Sequence, residues 1–207
     1  MCLPKCTGST GLPYLLTNLA DCTSQGPAIP FIPPHLLEVS GESLQHLDMS
    51  GCAQQLDDLV PTLPRCPHLQ TLNLRHCSHV KDITPVAASC GASLSDLDIS
   101  RCSSIESLEP LGSFSCLRLQ RLRASSCTSI ASIYPLLKCH KLTDLDLSGC
   151  SRVSSLKPLC RLQHLNISFC TQLSDLSELS CMTQLNSLLM NGCRYQTVSE
   201  TSPQMAT

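Results

Sequence analysis

Cysteine and histidine are the residues of this 207-residue chain with the most chemistry to offer: it carries sixteen of the first and seven of the second. Thiolates and imidazoles ligate zinc, a thiolate is a nucleophile, and paired thiols form disulfides. His76-Cys77-Ser78-His79 puts three such side chains in four residues, Cys139 precedes His140, and Cys2 and Cys6 share the first turn of sequence. The charged candidates are two arginines, Arg121 and Arg123, and aspartates that recur in pairs, Asp96 with Asp98 and Asp144 with Asp146. Which of these groups meet depends on the elements that carry them.

Those elements are set by a repeat. The frame Leu-x-x-Leu-x-Leu-x-x-Cys, with an apolar residue at positions one, four and six and cysteine at nine, starts at Leu44, Leu69, Leu94, Leu119, Leu142, Leu162 and Leu185. Its starts lie 25, 25, 25, 23, 20 and 23 residues apart, the period range of solenoids and arrays. Alternation at positions four and six predicts a short strand with one buried face. After the cysteine an x-Pro-(Leu/Val) step, as at Pro85 and Pro110, suits the first turn of a helix, with Thr84 as the expected N-cap. The 25-residue units have room for two helical turns, whereas the 20-residue unit from Leu142 must cross back almost directly. One strand and one short helix cannot bury their own apolar face, but stacked copies form a continuous core under a parallel sheet with one open face. Seven strands give a ladder about 29 Å long. The expected fold is thus an α/β repeat solenoid, a horseshoe with a parallel concave β-sheet and short helical or irregular convex segments.

The run Cys66-Pro67-His68-Leu69-Gln70-Thr71-Leu72-Asn73-Leu74-Arg75-His76-Cys77, continuing to Ala87-Ala88-Ser89-Cys90, resembles the cysteine-containing subtype of leucine-rich repeats, best known from the substrate-binding halves of F-box ubiquitin-ligase receptors. The resemblance covers about residues 44–193 and implies substrate or partner recognition in ubiquitin-ligase biology. Residues 1–43 show no sustained helical period for an adaptor-docking arm and read as a degenerate capping region with a proline-dense connection at 26–34. Residues 44–193 form the repeat domain, and residues 194–207 a polar tail.

Composition narrows the rest. A formal charge of −2 gives no whole-chain case for nucleic acid or an anionic membrane, and aromatics at 3% leave the core to aliphatic side chains. Six further cysteines, Cys66, Cys90, Cys116, Cys139, Cys160 and Cys181, precede the next repeat in register. Because cysteines recur with the core pattern, they read as buried, reduced thiols rather than a disulfide framework, which places the chain in the cytosol or nucleus. On a strand, Cys77 faces inward while His76 ends the outward face, so the pair diverges and neither a metal nor another cofactor is expected. Cys2 and Cys6 lack a second ligand pair.

Recognition in a solenoid falls on outward strand positions. The third-position column is His46, Thr71, Asp96, Arg121, Asp144, His164 and Ser187; the fifth is Asp48, Asn73, Asp98, Arg123, Asp146, Asn166 and Leu189. One reading is a self-neutralising ladder of cross-strand ion pairs. The other is a recognition patch in which Arg121 and Arg123 grip a partner's carboxylate or phosphate, with Arg75, His76 and Arg101 adding positive charge and Phe169 and Leu189 adding apolar anchors. The expectation is a non-enzymatic, monomeric module that binds a protein, and neither a small substrate, nucleic acid nor membrane. The alternatives are an interaction region of a larger or parasite-type leucine-rich-repeat protein, and a thiol-dependent enzyme, for which no orienting third group can be assigned.

Overall fold

A computed structural model describes residues 44–51, 66–114, 116–156 and 159–193. The expected capping region, Cys52 and the polar tail lie outside the described residues. Seven three-residue strands, β1 (His46–Asp48), β2 (Thr71–Asn73), β3 (Asp96–Asp98), β4 (Arg121–Arg123), β5 (Asp144–Asp146), β6 (His164–Asn166) and β7 (Ser187–Leu189), form one parallel sheet in chain order. The register pairs like with like, Leu47 with Leu72, Leu72 with Leu97 and so on to Leu165 with Leu188. Apolar positions one, four and six therefore stack into three buried rows; Leu69, Leu94, Leu97, Leu119 and Leu122 are all fully buried. At roughly 25 cal/mol per Å2 of apolar surface, this shared core is the main stabilising term, and no single repeat has it alone.

The cysteine at position nine holds successive repeats together by a second means. Its thiol donates to the position-six carbonyl of the repeat before it: Cys77 to Met49 (3.2 Å), Cys102 to Leu74 (3.0 Å), Cys127 to Ile99 (3.0 Å), Cys150 to Ala124 (3.0 Å), Cys170 to Leu147 (3.1 Å) and Cys193 to Ile167 (2.9 Å). From Leu74 to Ile167, the same carbonyls also accept the backbone N–H of their own repeat's cysteine, so both lone pairs are used. A side chain of this size is needed: it is a small apolar body with one weak donor.

Position eight has a left-handed backbone in every described repeat: Gly51, His76, Arg101, Ser126, Gly149, Phe169 and Gly192 have φ between 59° and 74°. The turn aims the position-eight N–H at the position-seven carbonyl of the next repeat, as from Gly51 to Arg75 and from His76 to Ser100, which extends the ladder past the strand. Four of the seven positions take this conformation without glycine, at roughly 1–2 kcal/mol each.

On the convex side, α1 (Thr84–Cys90) and α2 (Glu109–Ser113) are followed by 3-10 helices at Tyr134–Lys138 and Ser177–Cys181. Each of the first three begins with proline in its first turn, as expected. The described residues of the 20-residue unit after Cys150 include no helix. Thr84 is not the cap: it is the first helical residue, Ile83 occupies the cap position, and the Asp82 carboxylate accepts both the Thr84 N–H and its hydroxyl. Ser107, Ser132 and Asp175 accept from Glu109, Tyr134 and Ser177 in the same way. The polar acceptor thus sits one residue earlier than a standard cap, because the apolar cap residue is needed in the core. Gly112 lets α2 approach its neighbour: a Cβ there would lie 2.8 Å from the Pro135 carbonyl oxygen.

One expectation about the cysteines is overturned. Cys160 and Cys181 form a disulfide, with Cα atoms 5.1 Å apart, while ten other described cysteines are not disulfide-bonded. The argument against bridging holds for strand residues, whose Cβ vectors are parallel. It does not extend to this pair, which joins an exposed turn to a 3-10 helix, where no ladder fixes the vectors. The inference from a wholly reduced chain to the cytosol or nucleus loses its premise at this pair. Among the described residues no helix is long and apolar enough to cross a membrane.

Burial pushes the column thiols up, Cys102, Cys150 and Cys170 to about 12 and Cys127 to about 11, with neighbouring thiols adding to the effect at Cys102, Cys150 and Cys170. An unfolded thiol releases its proton near pH 9 and the folded one does not, so stability is retained below pH 9 and lost as pH rises from 9 towards 12. Thermal melts should show Tm falling above pH 9, as the unfolding free energy drops by up to about 1.4 kcal/mol per pH unit for each buried thiol. Cys102→Ala and Cys127→Ala together should flatten that slope; an unchanged slope would contradict the buried-thiol ladder.

Candidate functional site

Both predicted columns exist on the open face, in the expected register from His46 beside Thr71 to Asn166 beside Leu189. Their charges do not alternate as an even ladder. Arg121 Nε and Arg123 Nη1 each donate at 2.9 Å to one carboxylate, that of Asp96, whose side chain is only 8% exposed. The two arginines lean towards β3 and are about half exposed themselves. The aspartates of β5, Asp144 and Asp146, have no cation paired to them among the described residues; Asp144 accepts from the Thr143 hydroxyl and Asp146 from the Ser148 N–H. The cross-strand ion pair is therefore real on one side of β4 and absent on the other.

The fifth column has a structural duty that the sequence reading missed. Asp48, Asn73, Asp98, Asp146 and Asn166 each accept the backbone N–H two residues on, at Ser50, Arg75, Ser100, Ser148 and Ser168. These Asx turns lead the chain out of the strand into the left-handed residue. The signal was present in the sequence as Asp or Asn at five of seven fifth positions. Asp48 also accepts from the Asn73 side chain. In Asp98 and Asp146 the carboxylate oxygen not held by the turn is the one left to bind or to face solvent.

The arginine pair divides the concave face into two hollows. One, of about 230 Å3, is lined by His46, Asp48, Thr71, Asn73, Asp96, Asp98 and Arg123. The other, of about 260 Å3, is lined by Arg121, Arg123, Asp144, Asp146, His164, Asn166 and Leu189, with Leu122, Leu145 and Leu165 among its walls. His46 and His164 are exposed, as is Leu189, at 49%.

Arg75, His76 and Arg101 do come together, at the strand-exit rim rather than on the concave floor. His76 and Arg101 are successive left-handed residues. Slight burial, then Arg101 and Arg75, hold the His76 imidazole below its ordinary value, opposed by Asp98. Cys77 beside it is buried, with its thiol against Met49, so the two side chains point away from each other. Phe169 occupies the same rim four repeats on from His76. Its ring is 60% exposed and lies where a Cβ on Gly192 would have to go, 2.5 Å away. Phe169 and Leu189 thus belong to different surfaces.

The leucine-rich-repeat family profile matches residues 65–82 and 138–154. No curated protein sequence matches the chain. Among solved structures, a leucine-rich-repeat protein of Leptospira interrogans superposes with a TM-score of 0.60 at 18% identity, over 90% of this chain and 47% of that one. Internalin C2 of Listeria monocytogenes gives 0.57 at 17%, over 90% and 87%. The functional domain of InlJ from the same organism, which includes a cysteine ladder, gives 0.51 at 16%, over 81% and 38%. The chain spans about half the length or less of two of these three. At such identities the likeness establishes the fold, and the fold is a leucine-rich-repeat solenoid.

Two substitutions check this geometry. Ser126→Gly should stabilise by about 1 kcal/mol in urea unfolding, because glycine carries no penalty in the left-handed turn. Asp96→Ala should destabilise by about 1 kcal/mol, held to that size because its half-exposed arginine partners can return to water.

Proposed function

We propose that this leucine-rich-repeat solenoid is a non-enzymatic protein-interaction module whose concave face takes a basic segment of a partner protein. The observation that carries the reading is the one-sided ion pair. Arg121 and Arg123 are spent on Asp96, which leaves Asp144 and Asp146 in the second hollow beside Leu189. A lysine or arginine from a partner completes there the pairing that β4 does not supply, and Leu189 offers an apolar contact next to it. This reverses the polarity of the second of the two sequence readings, in which Arg121 and Arg123 grip a partner's carboxylate or phosphate. His46, Asp48, Asn73 and Asp98 in the first hollow extend the same acceptor-rich surface.

Support for a role without catalysis comes from the thiols: those of the strand column from Cys77 to Cys170 are at most 1% exposed, and a nucleophile needs access and a lowered pKa. Substrate recognition within a ubiquitin ligase is the narrower form of this reading. What supports it is the cysteine-bearing repeat alone, and co-purification of ligase adaptors with the chain from its native cell tests it.

With the co-purified partner, Asp144→Asn combined with Asp146→Asn should weaken binding at least ten-fold, mainly in the dissociation rate. Arg121→Glu with Arg123→Glu should leave a basic partner bound as tightly or more so. Loss of binding in the arginine variant, with the aspartate variant unaffected, would instead mean an acidic partner. Sedimentation at micromolar concentration should give a monomer.

A further inference from the structure

Charge is segregated on this solenoid in a way the whole-chain balance conceals. The three turns that lead into β4, β5 and β6 carry Arg118, Lys138, His140, Lys141 and Arg161, all exposed, and the described residues of those turns, 116–120, 138–143 and 159–163, include no carboxylate. None of the four lysines and arginines is ion-paired among the described residues. On the concave floor, by contrast, five aspartates face two arginines. The strand-entry rim is thus a cationic edge next to an acidic face.

The rim also has a hole in it. Where the unit length falls from 23 to 20 residues, a hollow of about 250 Å3 opens between the turns at 139–142 and 159–162. Its walls include Leu136, Leu142, Leu159 and Leu162, which belong to the core, and His140 and Arg161 stand among its lining residues. Exposed Leu117 and Leu137 continue the apolar surface, at 49% and 41%. The volume is below the roughly 300–1,000 Å3 of ordinary small-molecule sites, and it suits one inserted side chain. A surface that inserted into lipid would need protruding apolar wedges, whereas the central apolar feature here is concave.

We propose that the strand-entry rim is a second docking site, which binds an acidic segment of a partner protein by seating one large apolar side chain of that segment between Leu137 and Leu162 while Lys138, Lys141 and Arg161 pair with its flanking carboxylates. The cations supply steering and register, and the desolvated apolar anchor supplies the affinity that rim charges alone do not. The site is independent of the concave face, so one chain can hold an acidic and a basic segment at once. The disulfide from Cys160, itself a lining residue, ties one wall of the hollow to the next repeat.

The test is fluorescence anisotropy with a labelled peptide of alternating aspartate and glutamate carrying one central phenylalanine, against the same peptide with alanine at the centre. The phenylalanine peptide should bind at least five-fold more tightly than the alanine peptide. Lys141→Glu with Arg161→Glu, exposed positions whose folding is checked by circular dichroism, should weaken it at least ten-fold, and Asp144→Asn with Asp146→Asn should leave it unchanged. Equal affinity for the two peptides overturns the proposal. So does tighter binding, lost in the Lys141/Arg161 variant, to phosphatidylserine vesicles or to polyuridine, and so does self-association of the chain abolished by that variant.

Discussion

Each repeat is held to the next by bonds to carbonyls that a lone repeat would leave half-satisfied. The position-six carbonyl leaves the strand at the point where the sheet ladder ends, and it lies at the floor of the core, out of reach of water. A thiol from the following repeat fills that lone pair six times in succession, at 2.9 to 3.2 Å. Leaving such an acceptor unpaired costs on the order of 1–3 kcal/mol, so a residue at position nine must be small, apolar and able to donate. Cysteine meets all three conditions, and its periodic use follows from that requirement rather than from redox or metal chemistry.

Fixing successive repeats at one register has consequences on the other side of the sheet. Side chains at the third and fifth positions are brought into columns whether or not their charges suit each other. In the fifth column Asp and Asn accept the N–H of the turn at five positions; Arg123 and Leu189 are the departures, and Arg123 turns its guanidinium to Asp96 instead. The electrostatics of the face are therefore residues of a backbone solution: carboxylates placed to shape turns remain as an acceptor-rich surface, and one arginine pair neutralises only the strand before it.

The same separation of duties explains the rims. At the strand exit, a left-handed residue is obligatory, yet His76, Arg101, Ser126 and Phe169 stand where glycine would be free of strain. At the strand entry no such demand exists, and unit length alone sets how closely adjacent turns pack. A drop to 20 residues opens the hollow there, in a unit whose described return residues include no helix.

The repeat could be read from the sequence because its physics is local and periodic. Alternating leucines specify a strand, proline after a polar residue specifies a helical start, and recurrence at about 25 residues requires stacking, so the parallel sheet, its register and the inward cysteines were all legible. The cap at Asp82 rather than Thr84 was missed because the core took the cap position for Ile83. The Asx turns and the left-handed eighth position were written in the chain as Asp, Asn and Gly, but their role appears only once the exit of each strand is seen. Three things only the tertiary structure decided. Both arginines turn to Asp96, since pairing between strands depends on side-chain lean and not on column order. Cys160 and Cys181 meet outside the ladder, where sequence offset does not constrain Cβ direction. And the cations of three separate turns line one rim, because residues 20 or more apart in the chain become neighbours only when the solenoid stacks them.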